Sequence, residues 1–245
     1  MISPSVALLF LLFAHLNPDA AAAFDRYVAQ AESGRSAQAV RDPNLRGGQT
    51  RTEQVAATEK VKLPGAMLQD WVGTVFMPGA TIEQVRCALQ DYPDYKKFYG
   101  PKVIESRELE HTGDDYDITL RLKETHYFVT VFLSTTYHVR YETPDAQHLL
   151  VTSRATHIGQ LKNAGKPNEV EMTPDQDWGV LWRLNSYWRF EAADGGIYGR
   201  CEAISLSRDV PGFLRGFVSS FPKKSMDETL EGTLAAVNSH PANCN

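Results

Sequence analysis

Strand patterns follow one another from Asp70 to Arg208, and one apolar stripe of helical spacing comes after them. Asp115 to Lys123 alternates cleanly. Tyr116, Ile118, Leu120 and Leu122 face one way, and Asp117, Thr119, Arg121 and Lys123 the other, which is the period of a half-buried strand. Phe128 to Tyr141 is rich in Val, Thr, Phe and Tyr, and His148 to Ile158 follows a Pro144-Asp145 turn. Val180 to Ala192 meets Ile197 to Arg208 across Ala193-Asp194-Gly195-Gly196, whose Asp-Gly centre signals a hairpin. With Asp70 to Met77 these segments predict an antiparallel sheet of about six or seven strands. Met226, Leu230, Leu234 and Val237 then give the terminal helix an apolar face. The only surface available to cover it is a face of that sheet, so the fold class is α+β.

The remaining segments fit around this frame. Thr81 has the position of an N-cap, with Gln84 three residues on as in a capping box, and Ile82, Val85 and Leu89 form a stripe ended by Pro93. Tyr92 to Tyr99 is an aromatic-rich turn, Gln160 to Asp177 a loop, and Phe213, Leu214, Phe217, Val218 and Phe221 one face of a short helix. At the start, Val6 to Phe13 is an apolar run too short for a bilayer, which needs roughly 20 helical residues. Ala20 to Ala23 supplies small residues for a signal peptidase, although the first five residues carry no Lys or Arg. Residues 1–23 therefore read as a secretory signal, 24–60 as a short helix (Phe24 to Glu32) and a flexible linker, 61–238 as one domain, and 239–245 as a polar tail. The expectation is an exported protein, periplasmic or secreted.

Charge and motif content narrow the function classes. With 25 basic against 30 acidic residues there is no positive field for a nucleic-acid partner. No G-x-S-x-G elbow and no glycine-rich phosphate loop occurs between a strand and a helix, so no catalytic residue is assigned and no cofactor is expected. His126, His138, His148 and His157 sit singly on strands without the spacing of a zinc site, so no metal is expected either. Three cysteines cannot make a disulfide framework. Cys87 and Cys201 fit buried thiols and Cys244 sits in the tail, while a Cys87–Cys201 bridge stays open.

Tyr92-Pro93-Asp94-Tyr95 after the first domain helix, Leu206-Ser207-Arg208-Asp209-Val210-Pro211 before the last, and the terminal stripe together resemble the START-like (SRPBCC) superfamily. Within it they resemble the polyketide cyclase and coenzyme Q-binding branch. The resemblance covers about Val61 to Asn238, and it implies a helix-grip fold: a curved antiparallel sheet wrapped on a long C-terminal helix, with a deep apolar cavity between them. It also implies a lipid, sterol, quinone or polyketide as the occupant. Met226, Leu230 and Leu234, with Phe213 and Phe217, are then candidate lining residues, and Tyr95, Phe98 and Tyr99 a candidate mouth.

If Asp194-Gly195 is the two-residue turn, Tyr187 lies opposite Glu202, and Arg183, Asn185, Arg189 and a neighbouring Arg154 share that face. Two readings of it stand. Tyr187, Arg189 and Glu202 orient a ligand or move protons inside the cavity, or they form a solvated outer face. Three functions follow: a carrier or sensor of a hydrophobic small molecule, an aromatase/cyclase-type enzyme, or a protein-interaction module whose cavity is filled by side chains. Transient membrane contact of the C-terminal segment and the oligomeric state stay open.

Overall fold

A computed structural model describes residues 16–35, 39–55, 61, 63–126, 129–174, 176–209 and 220–241. Helix α1 (Pro18–Arg35) precedes strand β1 (Thr50–Gln54) and strand β2 (Ala66–Pro78). Helix α2 (Ile82–Gln90), a 3-10 turn (Tyr92–Asp94) and short helix α3 (Tyr95–Tyr99) follow. Then come β3 (Val103–Thr112), β4 (Asp115–His126), β5 (Val129–Asp145), β6 (His148–Lys162), β7 (Val170–Glu171), β8 (Arg183–Ala193) and β9 (Gly196–Arg208), and helix α4 (Ser220–Ser239) closes the chain.

All strand pairings among the described residues are antiparallel, in the order β1-β2-β9-β8-β6-β5-β4-β3, with β7 added beside β6. Register shifts within the β3–β4 and β5–β6 pairs mark bulges, which bend strands and help a sheet curve. The sheet is curved and holds the C-terminal helix, which is the helix-grip arrangement. Asp194 and Gly195 both have positive φ, as a tight hairpin turn requires, so Ala193 pairs with Gly196 and Tyr187 with Glu202, as the turn chemistry predicts.

Helix α4 seats on the concave face. Met226, Leu230 and Val237 are buried against Trp71, Val75 and Met77 of β2 and against α2 residues Val85 and Leu89. The close approach depends on Gly73. A Cβ there would lie 2.7 Å from Met226 Sδ and 2.8 Å from Leu230 Cδ1. Thr81 caps α2 through its hydroxyl, which accepts from the Gln84 amide at 3.1 Å. The Gln84 side chain does something other than close a capping box: its amide donates to the carbonyls of Val237 and His240 at 2.9 and 2.8 Å, capping the far end of α4.

Several expectations are corrected. Among the described residues the sheet has nine strands, not six or seven. The additional ones are its two edges, β1 and β3, and the two-residue β7. Edge strands cover little core, and β1 and β3 are mostly exposed, so neither carries the apolar alternation that marks a half-buried strand. The segment expected to be a linker thus contains β1 paired to β2, with Leu45 buried nearby. The loop from Gln160 carries the end of β6 and β7. The N-terminal helix runs from Pro18, with Ala20, Phe24 and Val28 buried. Cys87 is disulfide-bonded and Cys201 is free and buried, so no Cys87–Cys201 bridge forms and Cys87 is not a free thiol. Cys244, the apolar run Val6 to Phe13, and Phe213 and Phe217 lie outside the described residues.

Candidate functional site

Between the concave face and α4 lies a cavity of about 470 Å³. That is within the range of about 300–1,000 Å³ typical of small-molecule sites. Ile118, Leu120 and Leu122 of β4 line it, which are the inward set of the alternation, together with Tyr137, Val139 and Tyr141 of β5. Trp71 and Trp188 face it from β2 and β8, Met226 from α4, and Leu89 from α2. A curved sheet and one helix cannot fill the volume they enclose, and strands alternate their side chains, so half of each central strand faces this space.

Hydroxyls at the α2–α3 end are held within the protein. The Tyr92 and Tyr141 hydroxyls are 2.8 Å apart, and Tyr141 and Tyr95 donate to the Leu89 carbonyl at 2.9 and 2.6 Å. Tyr99 meets Thr233 of α4 at 3.0 Å. Burial raises the pKa of each: Tyr99, partly relieved by Thr233, is pushed up to about 12, and Tyr95 and Tyr141 well above their ordinary value. That end of the cavity stays uncharged at neutral pH. Charged groups also line the cavity: Lys102 pairs with Glu124 at 3.1 Å and donates to Ser225 of α4, and Arg208, Asp209 and Glu228 belong to the same lining.

Tyr187, Arg189 and Glu202 are absent from this lining and lie on the opposite, convex face. They are not solvated there either, since helix α1 covers them. Phe24 and Val28 of α1 pack on Leu68, Ile204 and Leu206, each burial stabilising by about 1.5–3 kcal/mol. Arg35, at the end of α1, donates from Nε to Glu202 Oε2 at 2.7 Å, and its guanidinium lies 3.5 Å from the Tyr187 ring centroid. Arg189 donates to the Arg35 carbonyl at 2.6 Å, while Tyr187 and Arg154 both donate to Glu32 at 2.6 Å. Tyr27 donates to Asp70 Oδ2 at 2.8 Å. Desolvation, followed by repulsion from Glu202, pushes Asp70 up to about 7. The sequence placed these side chains correctly together on one face. It had no means to identify what covers that face.

Of the candidate mouth and lining residues, Tyr95, Tyr99 and Met226 reach the cavity. Leu230 is fully buried core, and Leu234 and Phe98 pack against that core, Phe98 with its ring 5.7 Å from that of His240. Helix α3 closes on α4 at Gly232, where a Cβ would meet Tyr99 Cδ1 at 2.6 Å. Sequence reasoning missed Gln69, Ser153, Ser186 and Ser205, which also line the cavity. A signal for Ser186 existed, since it shares its phase with Leu184 and Trp188 on β8. Among the described residues, no group of three or more His, Cys, Asp or Glu is placed to hold a metal ion. His138 and His157 instead pair with Asp117 and Glu171, both at 2.9 Å.

No protein-family model matches the chain, and no curated protein does. Among solved structures it is similar to the Zhui aromatase/cyclase from Streptomyces sp. R1128, at 11% identity over 70% of this chain and 94% of that one, with a TM-score of 0.49. It is similar to a STAR-related lipid transfer protein fragment from Xanthomonas axonopodis, at 16% identity over 77% and 97%, TM-score 0.48. Human STARD10 is 10% identical over 75% of this chain and 73% of its own, TM-score 0.43. Neither a shared cargo nor a shared reaction follows from identities this low.

Proposed function

We propose that this protein binds and carries a hydrophobic small molecule in the cavity between its sheet and α4, and does so outside the cytosol. The observation that carries the reading is the 470 Å³ cavity with its largely apolar wall. Burying an apolar ligand there gains about 25 cal/mol per Å² before binding losses, so no catalytic group is needed for affinity. A side-chain-filled interaction module is disfavoured, because its interior would leave no such volume. An enzyme that moves protons with Tyr187, Arg189 and Glu202 is disfavoured as well, since those groups are on the far side of the sheet from the cavity.

Export is supported by the apolar run before Ala20-Ala21-Ala22-Ala23 and by the disulfide at Cys87, since disulfides persist outside reducing compartments. Cleavage after Ala23 removes the buried Ala20 but leaves Phe24, Tyr27, Val28, Glu32 and Arg35, which make the apolar and polar contacts of α1 described above. Among the described residues no helix is long and apolar enough to cross a membrane.

Native mass spectrometry of the mature protein, purified gently from its own source, tests the carrier reading. A bound mass released by organic solvent and matching a lipid, quinone or polyketide is expected. No bound mass, even after incubation with lipid extracts, overturns it.

A further inference from the structure

The sheet wall of the cavity carries a patch of uncharged polar groups. Ser153 of β6 lies opposite Ser186 of β8, and Ser205 of β9 lies opposite Gln69 of β2. Ser186 pairs with Ala203 and Leu184 with Ser205, so Ser186 and Ser205 are diagonal neighbours on one face. All four polar residues line the cavity. Among the described residues, the hydroxyls of Ser153, Ser186 and Ser205 hydrogen-bond to no protein group. Gln69 accepts from Trp71 Nε1 at 3.1 Å, but its amide nitrogen has only the Met67 sulfur, 3.5 Å away, which is a weak acceptor.

The contrast with the rest of the lining is what makes the patch informative. Besides Ser207, nearer the Arg208 end of β9, the other lining hydroxyls all have protein partners. Tyr92, Tyr95, Tyr99, Tyr141 and Thr233 are held as described, Tyr137 bonds to Thr135, Ser225 accepts from Lys102, and Thr229 donates to the Ser225 carbonyl. A pure hydrocarbon cargo would dry these serines without replacing their hydrogen bonds, which is unfavourable. A charged headgroup at the patch would meet no counter-charge among its neighbours on the sheet, which are Leu184, Ala203, Trp71 and Val139. A neutral oxygen accepts from these hydroxyls and from the Gln69 amide, and that of an alcohol can donate to them as well.

Building on the carrier reading, we infer that the cargo is an uncharged oxygen-bearing hydrophobe, an alcohol or ketone, whose oxygen docks on Ser153, Ser186, Ser205 and Gln69. The serines therefore select cargo by its polar group, while the apolar wall holds the rest.

The test uses four sixteen-carbon probes delivered from cyclodextrin: 1-hexadecanol, 2-hexadecanone, hexadecane and hexadecanoate at pH 8. Binding is read by fluorescence of the cavity tryptophans. The alcohol and ketone are expected to bind about tenfold tighter than the other two. Ser186→Ala is expected to weaken them by about three- to tenfold, as loss of one hydrogen bond does, with hexadecane unchanged. The triple variant S153A/S186A/S205A is expected to remove the preference. Without ligand, both variants should melt no lower than the parent, because the hydroxyls removed have no protein partner. A lower melting temperature for Ser186→Ala overturns the inference by making the hydroxyl structural. Hexadecane or hexadecanoate binding as tightly as the alcohol overturns it but leaves the carrier reading standing. Binding of none of the four overturns both.

Discussion

Asp70 is 1% exposed, and one of its two oxygens has no hydrogen-bond partner. Tyr27 serves the other, Glu202 repels the charge, and Arg35 and Arg200 offset only part of that. An acid whose pKa rises on folding holds its proton more tightly in the fold than in the unfolded chain. Its contribution to stability is complete below about pH 4 and is lost as the pH climbs to about 7. Asp70→Asn keeps an oxygen for Tyr27 and removes the charge. In urea titrations it should be more stable than the parent by roughly 2–4 kcal/mol at pH 8 and gain little at pH 4. An equal gain at both values would show that charge is not the cause. Nothing in the sequence around Asp70 announces this. It sits within the largely apolar strand β2, and its neighbours Tyr27, Arg35 and Glu202 are remote in the chain.

At the scale of elements, α1 is the least expected part of the molecule. Its sequence hinted only at a short helix, because Phe24 and Val28 need the convex face of β2 and β9 to give them meaning. Arg35 fastens its last turn through Glu202, and both side chains are largely buried. Arg35→Ala leaves Glu202 buried without its cation, so a loss of about 3 kcal/mol is expected from thermal or chemical unfolding. The affinity for 1-hexadecanol should stay within about twofold, since α1 and the cavity occupy opposite faces of the sheet. Affinity falling in step with stability would mean that the faces are coupled. The central strands and α4 were legible because burial on one face imposes a period. The edges β1 and β3 were not, because most of their residues are exposed and too few are buried to impose a period.

For the whole molecule, a cavity that holds cargo makes stability depend on cargo. A ligand at about a hundred times its Kd adds about 2.7 kcal/mol, which for a domain of this size raises Tm by roughly 5–10 °C. Protein stripped by organic solvent and refolded should therefore melt that much lower than protein with its cargo, and recover when the cargo is returned. Identical melting curves would mean that the cavity is closed to it. The overall architecture could be read from the hairpin at Asp194-Gly195 and the stripe Met226, Leu230, Leu234 and Val237. The polar character of the cavity could not, because Ser153, Ser186 and Ser205 meet only after three strands are in register. That register has an evolutionary consequence. On β8, Leu184, Ser186 and Trp188 face the cavity, while Asn185, Tyr187 and Arg189 face α1. On β9, Cys201, Ala203 and Ser205 alternate in the same way with Glu202 and Ile204. A lineage can thus rewrite the lining of the cavity at every second position and inherit the fastening of its fold, unedited, at the positions between.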